Sequence, residues 1–318
     1  MQFRSIADLA KTIRAQAHRI PAEVDLVVGV PRSGMLAASI VALAMNRNLL
    51  DLNSCLSNAR ITHGRTREVP GGQPDDARAA SWLLLVDDSV RTGRSMRDAK
   101  EAILRTGFVG HVTTLAVYAA PTARRAVDIC LETVSMPRAF EWNVMHRIEL
   151  ADCCVDLDGV LCVDPADDEN DDGPRYARFL QNARPLIIPS YPIGHIVTSR
   201  LQKYRLETEE WLRDHGVVFG QLHMLDFPSA EIRRRLRPHA RFKASVYMSQ
   251  RATHLFIESE PNQAAEIAQI SGKPVLCYGT QQLLLPGFSW STIRATGALR
   301  VSRFSGVISR LGRRWIRS

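Results

Sequence analysis

The chain of 318 residues has no apolar run of 18 or more residues, the length a helix needs to cross a bilayer. It also lacks an amino-terminal stretch with the pattern of a secretory signal. Its six cysteines, at 55, 130, 153, 154, 162 and 277, include no paired C-x-x-C set of the kind that holds zinc or cycles disulfides. Several fall in apolar segments, so they read as reduced core thiols, the usage expected of a cytosolic protein. There is no internal repeat and no long low-complexity run, which excludes a solenoid. Acid is missing from the last twenty residues, where Arg300, Arg303, Arg310, Arg313, Arg314 and Arg317 supply six of the eight net positive charges. The body is therefore near neutral, which excludes a surface built to coat nucleic acid. What the chain does have is 45% hydrophobic residues, enough for two cores at this length.

The most informative segment is Leu83-Leu84-Leu85-Val86-Asp87-Asp88-Ser89-Val90-Arg91-Thr92-Gly93-Arg94-Ser95. An apolar run with the look of a buried strand ends in two adjacent carboxylates, and a Thr/Gly/Ser turn leads into a helix-compatible stretch, Met96–Thr106. Carboxylates at a strand's end can hold the vicinal hydroxyls of a ribose, directly or through Mg²⁺. Backbone N–H groups of a turn that opens a helix can hold a phosphate. Upstream, Val24–Val30 reads as a buried strand, followed by Gly29-Val30-Pro31-Arg32-Ser33-Gly34-Met35 and an Ala-rich helix, Leu36–Met45. Either strand–turn–helix unit alone is common in α/β proteins, but the two together are specific.

The thirteen-residue run resembles the PRPP-binding signature of type I phosphoribosyltransferases. The resemblance implies that Asp87 and Asp88 grip the ribose hydroxyls and that Arg91, Thr92, Gly93, Arg94 and Ser95 cup the 5-phosphate. It makes Pro31, Arg32, Ser33 and Gly34 the loop facing the leaving diphosphate and its Mg²⁺. Arg91 departs from the Thr or Ser usual there. The polar segment Ser57–Ala80, with Arg60, His63, Arg65 and Arg67, corresponds to the family's mobile catalytic loop, and its length alone marks it as functional or unstructured. Trp142, Asn143 and His146 follow where this fold places its acceptor hood, so they are expected acceptor contacts, with a packed Trp at a domain junction as the other reading.

A second start follows at Asp152-Cys153-Cys154-Val155-Asp156-Leu157-Asp158-Gly159-Val160-Leu161. Two carboxylates two apart, with a turn at the second, can converge so that one attacks and the other transfers a proton. This run resembles motif I of the haloacid dehalogenase (HAD) superfamily, which implies Asp156 as nucleophile and Asp158 as general acid/base. Three further motifs appear in order. Thr198, with Ser199, ends an apolar run and matches the phosphate-binding position. Lys243 matches the cation that screens the phosphoaspartate. Glu258 or Glu260 matches the acidic motif, so that Asp156, Asp158, Glu258 and Glu260 make up the expected Mg²⁺ set. Asp156 and Thr198 are 42 residues apart and Thr198 and Lys243 are 45, which leaves scarcely any room for a folded cap. The acidic run Asp164–Asp172 reads as a solvated loop.

In Leu299–Ser318, Val301, Phe304, Val307, Ile308, Leu311 and Trp315 recur at three- and four-residue spacings with arginine between them. Two readings stay open for this basic amphipathic helix: an anionic membrane surface or partner groove, or docking on the protein's own core.

The expected architecture is α/β with two domains, residues 1–148 with a type I phosphoribosyltransferase fold and residues 149–288 with a HAD-like Rossmannoid fold and little or no cap. A basic tail, 289–318, follows. The fusion implies a bifunctional enzyme, with PRPP as donor and Mg²⁺ in both domains. It would transfer 5-phosphoribosyl to an acceptor and then remove the 5-phosphate. Bimodular bacterial enzymes that place ribofuranose in polysaccharides are similar. The expected acceptor is then a glycan, lipid-linked or polymeric, handled in the cytoplasm at the inner face of the membrane, without nucleic acid as partner. The alternatives are a nucleobase phosphoribosyltransferase fused to a nucleotidase, and a PRPP-sensing regulator.

Overall fold

The computed structural model describes residues 1–62 and 72–287. His63, Arg65 and Arg67 of the polar loop and the whole basic tail lie outside the described residues. The chain divides into two compact units, Met1–Asn143 and Val144–Ser318.

In the first unit β1 (Gln2–Arg4), α1 (Ile6–Gln16), β2 (Leu26–Gly29), α2 (Gly34–Met45), β3 (Asn48–Asp51), α3 (Leu52–Leu56), β4 (Trp82–Val90), α4 (Arg94–Arg105), β5 (His111–Ala119), β6 (Ile129–Thr133) and β7 (Arg138–Phe140) follow in order. Five strands form one sheet, β3-β2-β4-β5-β6, all parallel, while β1 and β7 pair separately. β4 shows why its sequence is an unbroken apolar run. Leu83 and Leu85 join the core on one face of the sheet, and Leu84 and Val86 join the core on the other. A central parallel strand is buried on both sides, so every position must be apolar. Each of these leucines is fully buried, and truncation to Ala at such a site costs about 2–5 kcal/mol.

α4 buries Met96, Ala99 and Ile103, the three- and four-residue spacing of an amphipathic helix. α1 opens on a capping box in which Ser5 and Asp8 bond each other's backbone N–H. One expectation shifts. The strand does not stop at the acidic pair but continues to Val90, because the long neighbour β5 keeps pairing with it through Ser89 and Val90.

In the second unit β8 (Cys153–Val155), α5 (Pro174–Asn182), β9 (Ile193–Leu201), α6 (Arg205–Asp214), β10 (Phe219–Leu225), α7 (Ala230–Leu236), α8 (His239–Ser249), β11 (Leu255–Glu258), α9 (Pro261–Ser271), β12 (Val275–Cys277) and β13 (Gln282–Leu284) form a second α/β layer structure. Its sheet runs β10-β9-β8-β11-β12-β13, parallel except for β13. Cys154, Val197 and Phe256 pack under Tyr247, Ala264 and Ile267 on one face. The connection from β8 to β9 carries one helix, α5.

All six cysteines are free and buried. Burial pushes the thiols of Cys153 and Cys154 up to about 12, so they are packing groups rather than nucleophiles. Among the described residues no helix is long and apolar enough to cross a membrane.

Candidate active sites

In an open parallel sheet, ligands bind outside the carboxyl ends of the strands where the strand order reverses. In the first unit that point lies between β2 and β4, because the chain leaves β2 toward β3 and leaves β4 toward β5 and β6. The two loops singled out in the sequence sit there, Pro31–Gly34 after β2 and Arg91–Ser95 after β4.

Gly34 shows how closely they meet. A Cβ on it would lie 2.8 Å from Asp87 Oδ1 and 3.1 Å from the Val86 carbonyl oxygen, so only glycine brings the first loop's backbone against the acid of β4. In the second loop Gly93 has φ 77° and begins α4. A side chain there is strained, and its Cβ would overlap Ala126. Pro31, Arg32, Arg91, Thr92, Arg94 and Ser95 all lie in these two segments, which follow neighbouring strands of the sheet.

The two acids are not equivalent. On an extended strand neighbouring side chains point to opposite faces. Asp87 is half-buried beside Gly34, and its carboxyl is pushed up to about 8 by burial and then by the charge of Asp88. Asp88 is 2% exposed, and its Oδ2 accepts the indole N–H of Trp142 at 2.8 Å. Trp142 stacks on Phe140, with ring centroids 4.9 Å apart, and Phe140 on Tyr118 at 5.4 Å. The three acceptor residues expected from the sequence fall in both units. Trp142 is engaged by Asp88, Asn143 ends the first unit, and His146 belongs to the second, where its Nδ1 lies 2.7 Å from Ser190 Oγ.

In the second unit the strand order reverses between β8 and β11, and the motif residues lie at the carboxyl ends of those strands. Asp156 follows β8, and its N–H donates to the Ile257 carbonyl of β11 at 2.9 Å. Glu258 ends β11 and is fully buried. Lys243, on α8 and 2% exposed, donates from Nζ to Asp156 Oδ2 and Glu258 Oε2, both at 2.7 Å, and to Gln263 Oε1 at 3.2 Å. Burial works to lower the lysine, but the two carboxylates more than reverse that and hold it above the ordinary value. Burial and the neighbouring Glu258 push Asp156 upward.

Thr198 is fully buried near the end of β9, and its Oγ1 accepts the Arg200 N–H at 3.2 Å. Ser199 Oγ is buried without a hydrogen-bond partner.

Two expectations change here. Asp158 is not free for proton transfer, because Arg200 Nε lies 3.1 Å from each of its oxygens and Nη2 lies 2.6 Å from Oδ1. Arg200 is itself fully buried and also touches Thr208 Oγ1 and Cys162 Sγ. The motifs do not single it out, although an arginine near the end of a buried strand must find a carboxylate. Nor do the four acids named as a metal set come together. Asp158 is taken by Arg200. Glu260 caps α9, accepting the Gln263 N–H at 2.6 Å, while a lysine ammonium fills the place between Asp156 and Glu258. Among the described residues no group of three or more His, Cys, Asp or Glu could hold a metal ion, so no step is routed through one in this unit.

The acidic run is built into the fold as well. Asp171 accepts the N–H groups of Gly173 and Tyr176 at the start of α5, at 3.0 and 2.9 Å. Asp172 accepts the Tyr204 hydroxyl at 3.0 Å and the Ala230 N–H at 2.9 Å.

A known family covers the first of these sites. The family profile described as phosphoribosyl transferase domain matches residues 2–147, and this part of the chain is a phosphoribosyl transferase domain with the type I fold. Similar solved structures include the purine phosphoribosyltransferase of Pyrococcus horikoshii, 17% identical over 44% of this chain and 92% of that one, with a TM-score of 0.33. The xanthine-guanine-hypoxanthine phosphoribosyltransferase of Helicobacter pylori is 14% identical over 45% of this chain and 92% of its own, with a TM-score of 0.32. The orotate phosphoribosyltransferase of Aeropyrum pernix is 18% identical over 40% and 70%, with a TM-score of 0.28. No curated protein matches the chain.

Proposed function

We propose that this chain transfers a 5-phosphoribosyl group from PRPP to a hydroxyl of a glycan acceptor and then hydrolyses the 5-phosphate, leaving a ribofuranosyl residue. The observation that carries the two-step reading is Lys243 Nζ at 2.7 Å from both Asp156 and Glu258, at the strand-order reversal of a second sheet. That sheet follows a phosphoribosyl transferase domain on the same chain. A buried aspartate held by a lysine at such a point is the arrangement expected of a nucleophile that must carry a phosphoryl group. The order of the four motifs along the chain supports a HAD-type assignment, as does the sheet order β10-β9-β8-β11-β12. The single helix between β8 and β9 leaves the site uncapped on that side, which supports a bulky substrate such as a glycan.

In the first unit Asp87 is the open carboxylate and accepts hydrogen bonds from the ribose hydroxyls. Its upward shift records a buried acid beside another acid, and hydroxyl donors or a cation relieve that strain. The residues present thus fit PRPP with Mg²⁺. The metal, when bound, would screen the charge of the departing diphosphate. The backbone of Thr92–Ser95 at the start of α4 holds the 5-phosphate, and the Pro31–Gly34 backbone faces the diphosphate. Asp88, held by Trp142, fixes the strand end rather than gripping sugar.

In the second unit Asp156 attacks phosphorus, the ester P–O bond breaks, and the leaving oxygen takes a proton from solvent water, since Asp158 is held by Arg200. Water then cleaves the acyl phosphate and regenerates Asp156. Lys243 offsets the charge of Asp156 and Glu258 throughout, and the Thr198 hydroxyl contacts the phosphoryl oxygens.

The test is Asp156→Asn, incubated with PRPP, Mg²⁺ and a glycan acceptor. Transfer proceeds at its own site, so the product accumulates one phosphate heavier than that of the wild type, as read by mass spectrometry. Identical products from the two proteins would end the two-step reading. Transfer to a nucleobase instead of a glycan would turn it to nucleotide salvage.

A further inference from the structure

At the edge of the second sheet two histidines meet. β10 is the outer strand and β9 its neighbour. Gln221 stands in register opposite His195, and His223 opposite Val197, so His195, Gln221 and His223 share one face of the two strands. Strand alternation turns that face away from the one that carries Thr198. The pair is therefore separate from the Asp156–Lys243 site.

His195 Nδ1 lies 3.2 Å from His223 Nε2, with ring centroids 5.4 Å apart and the planes tilted by 39°. Both side chains are half-buried, so each still meets solvent. Gln221, exposed beside them, hydrogen-bonds the His195 ring. A neutral imidazole nitrogen binds zinc at about 2.0–2.1 Å. Two nitrogens 3.2 Å apart, each at that length from one ion, subtend about 100–106° at it. That is close to the tetrahedral angle, so the two rings already stand at the bite of a chelate. Without an ion a shared N–H has to stand between them, because facing lone pairs repel. An ion replaces that proton and accepts both lone pairs. Arg205, which reaches the Leu222 carbonyl beside His223 at 3.0 Å, has its charge met by Glu209 Oε1 at 2.8 Å.

We propose that His195 and His223 form a two-histidine site for a divalent ion of the zinc class, bridging β9 and the edge strand β10. Zn²⁺, Ni²⁺ and Cu²⁺ suit imidazole nitrogen, whereas Mg²⁺ and Ca²⁺ take oxygen. The site is thus chemically distinct from the Mg²⁺ position proposed for the PRPP cleft. Binding releases one proton to solvent water and forms two metal–nitrogen bonds. Water completes the shell, since no group of three His, Cys, Asp or Glu gathers among the described residues. Gln221 orients the His195 ring, as outer partners of metal-bound histidines do. The ion so ties the edge strand to the strand that carries Thr198, and it depends on neither of the two reactions proposed above.

The experiment is calorimetric titration of the full chain with Zn²⁺ in excess Mg²⁺, which keeps oxygen-rich clefts supplied with their own ion. Wild type is compared with His195→Gln, His223→Gln and the double variant. Zinc taken up by the thiols or by the first unit is common to all four and cancels. Either single substitution should weaken zinc binding at this site by about tenfold or more. The double variant should lose little beyond that, because a chelate fails with its first arm. One equivalent of Cu²⁺ in place of zinc gives a second reading by electron paramagnetic resonance. Coupling to two imidazole nitrogens is expected in wild type and is lost in each single variant. Zinc isotherms that coincide for wild type and the double variant overturn the site. If a variant does not fold, the wild-type copper spectrum decides alone, and fewer than two coupled nitrogens in it overturns the site as well.

Discussion

The indole N–H of Trp142 donates to Asp88 Oδ2 at 2.8 Å, across 54 residues of sequence, and this bond makes the two adjacent acids of β4 different. Asp88 is closed off beside a stack of three aromatic rings, while Asp87 remains half-open beside Gly34. The sequence motif presents the pair as twins, and the fold divides their work.

Trp142→Phe keeps the stacking and removes only the N–H. A hydrogen bond to a buried carboxylate is lost, and Asp88 is left without that donor, a cost of about 1 kcal/mol or somewhat more. The expected outcome is a rise of about fivefold in KM for PRPP, with kcat changed less. PRPP-dependent release of diphosphate measures it. A variant indistinguishable from wild type would show that Asp88 needs no support.

Arg200 and Asp158 form the second closely bound pair, with Arg200 wholly buried. Arg200→Met strands a carboxylate beside Asp156 and should destabilise the protein by about 3–5 kcal/mol. Asp158→Asn added to it removes the stranded charge and should recover part of that loss. Urea unfolding of the two single variants and the double variant gives the coupling directly. Additive losses would mean that the pair contributes nothing as a pair.

His239 supplies a pH dependence. Its imidazole is lowered from 6.5 to about 4 by burial and by Arg233 and Lys243, against the opposite pull of Glu258. Above pH 6.5 both folded and unfolded forms are neutral there. Between that value and about 4 the unfolded chain takes up a proton that the folded protein refuses, so stability falls as pH falls, and the loss is complete below about 4. His239→Gln should flatten this part of the curve. It should not abolish it, since His195, His223 and His254 are shifted in the same direction. Denaturant midpoints taken across that window, wild type against variant, check the sign. A variant curve parallel to wild type would remove His239 as the source.

The sequence is readable where chemistry is local. Leu83–Val86, the acids after them and Gly93 lie within a dozen residues, and the strand, the turn and α4 follow from apolar burial and from the one residue that tolerates φ 77°. The acids before α5 look like solvated charge in the sequence, because two of their partners, Tyr204 and Ala230, come from elsewhere in the fold. Arg200 is silent for the same reason. Nothing in the spacing of an isolated arginine tells which carboxylate, if any, it will meet. Glu258 and Glu260 are indistinguishable by motif alone. The fold separates them, because the strand ends at the first and the helix begins at the second.

The small sheet of β1 and β7 has a further consequence. Gln2, Phe3 and Arg4 lie in register with Arg138, Ala139 and Phe140, and the Ile6 N–H donates to Glu141 at 2.7 Å. The opening residues thus fasten the closing segment of the first unit, one step before Trp142. The unit is a hoop with its clasp beside β4, since Arg138 and Trp142 bond Val90 and Asp88 there. Its first four residues are remote in sequence from the loops after β2 and β4, yet they are part of what keeps the indole on Asp88, so a fragment begun after them would lose the clasp before it lost any residue of those loops.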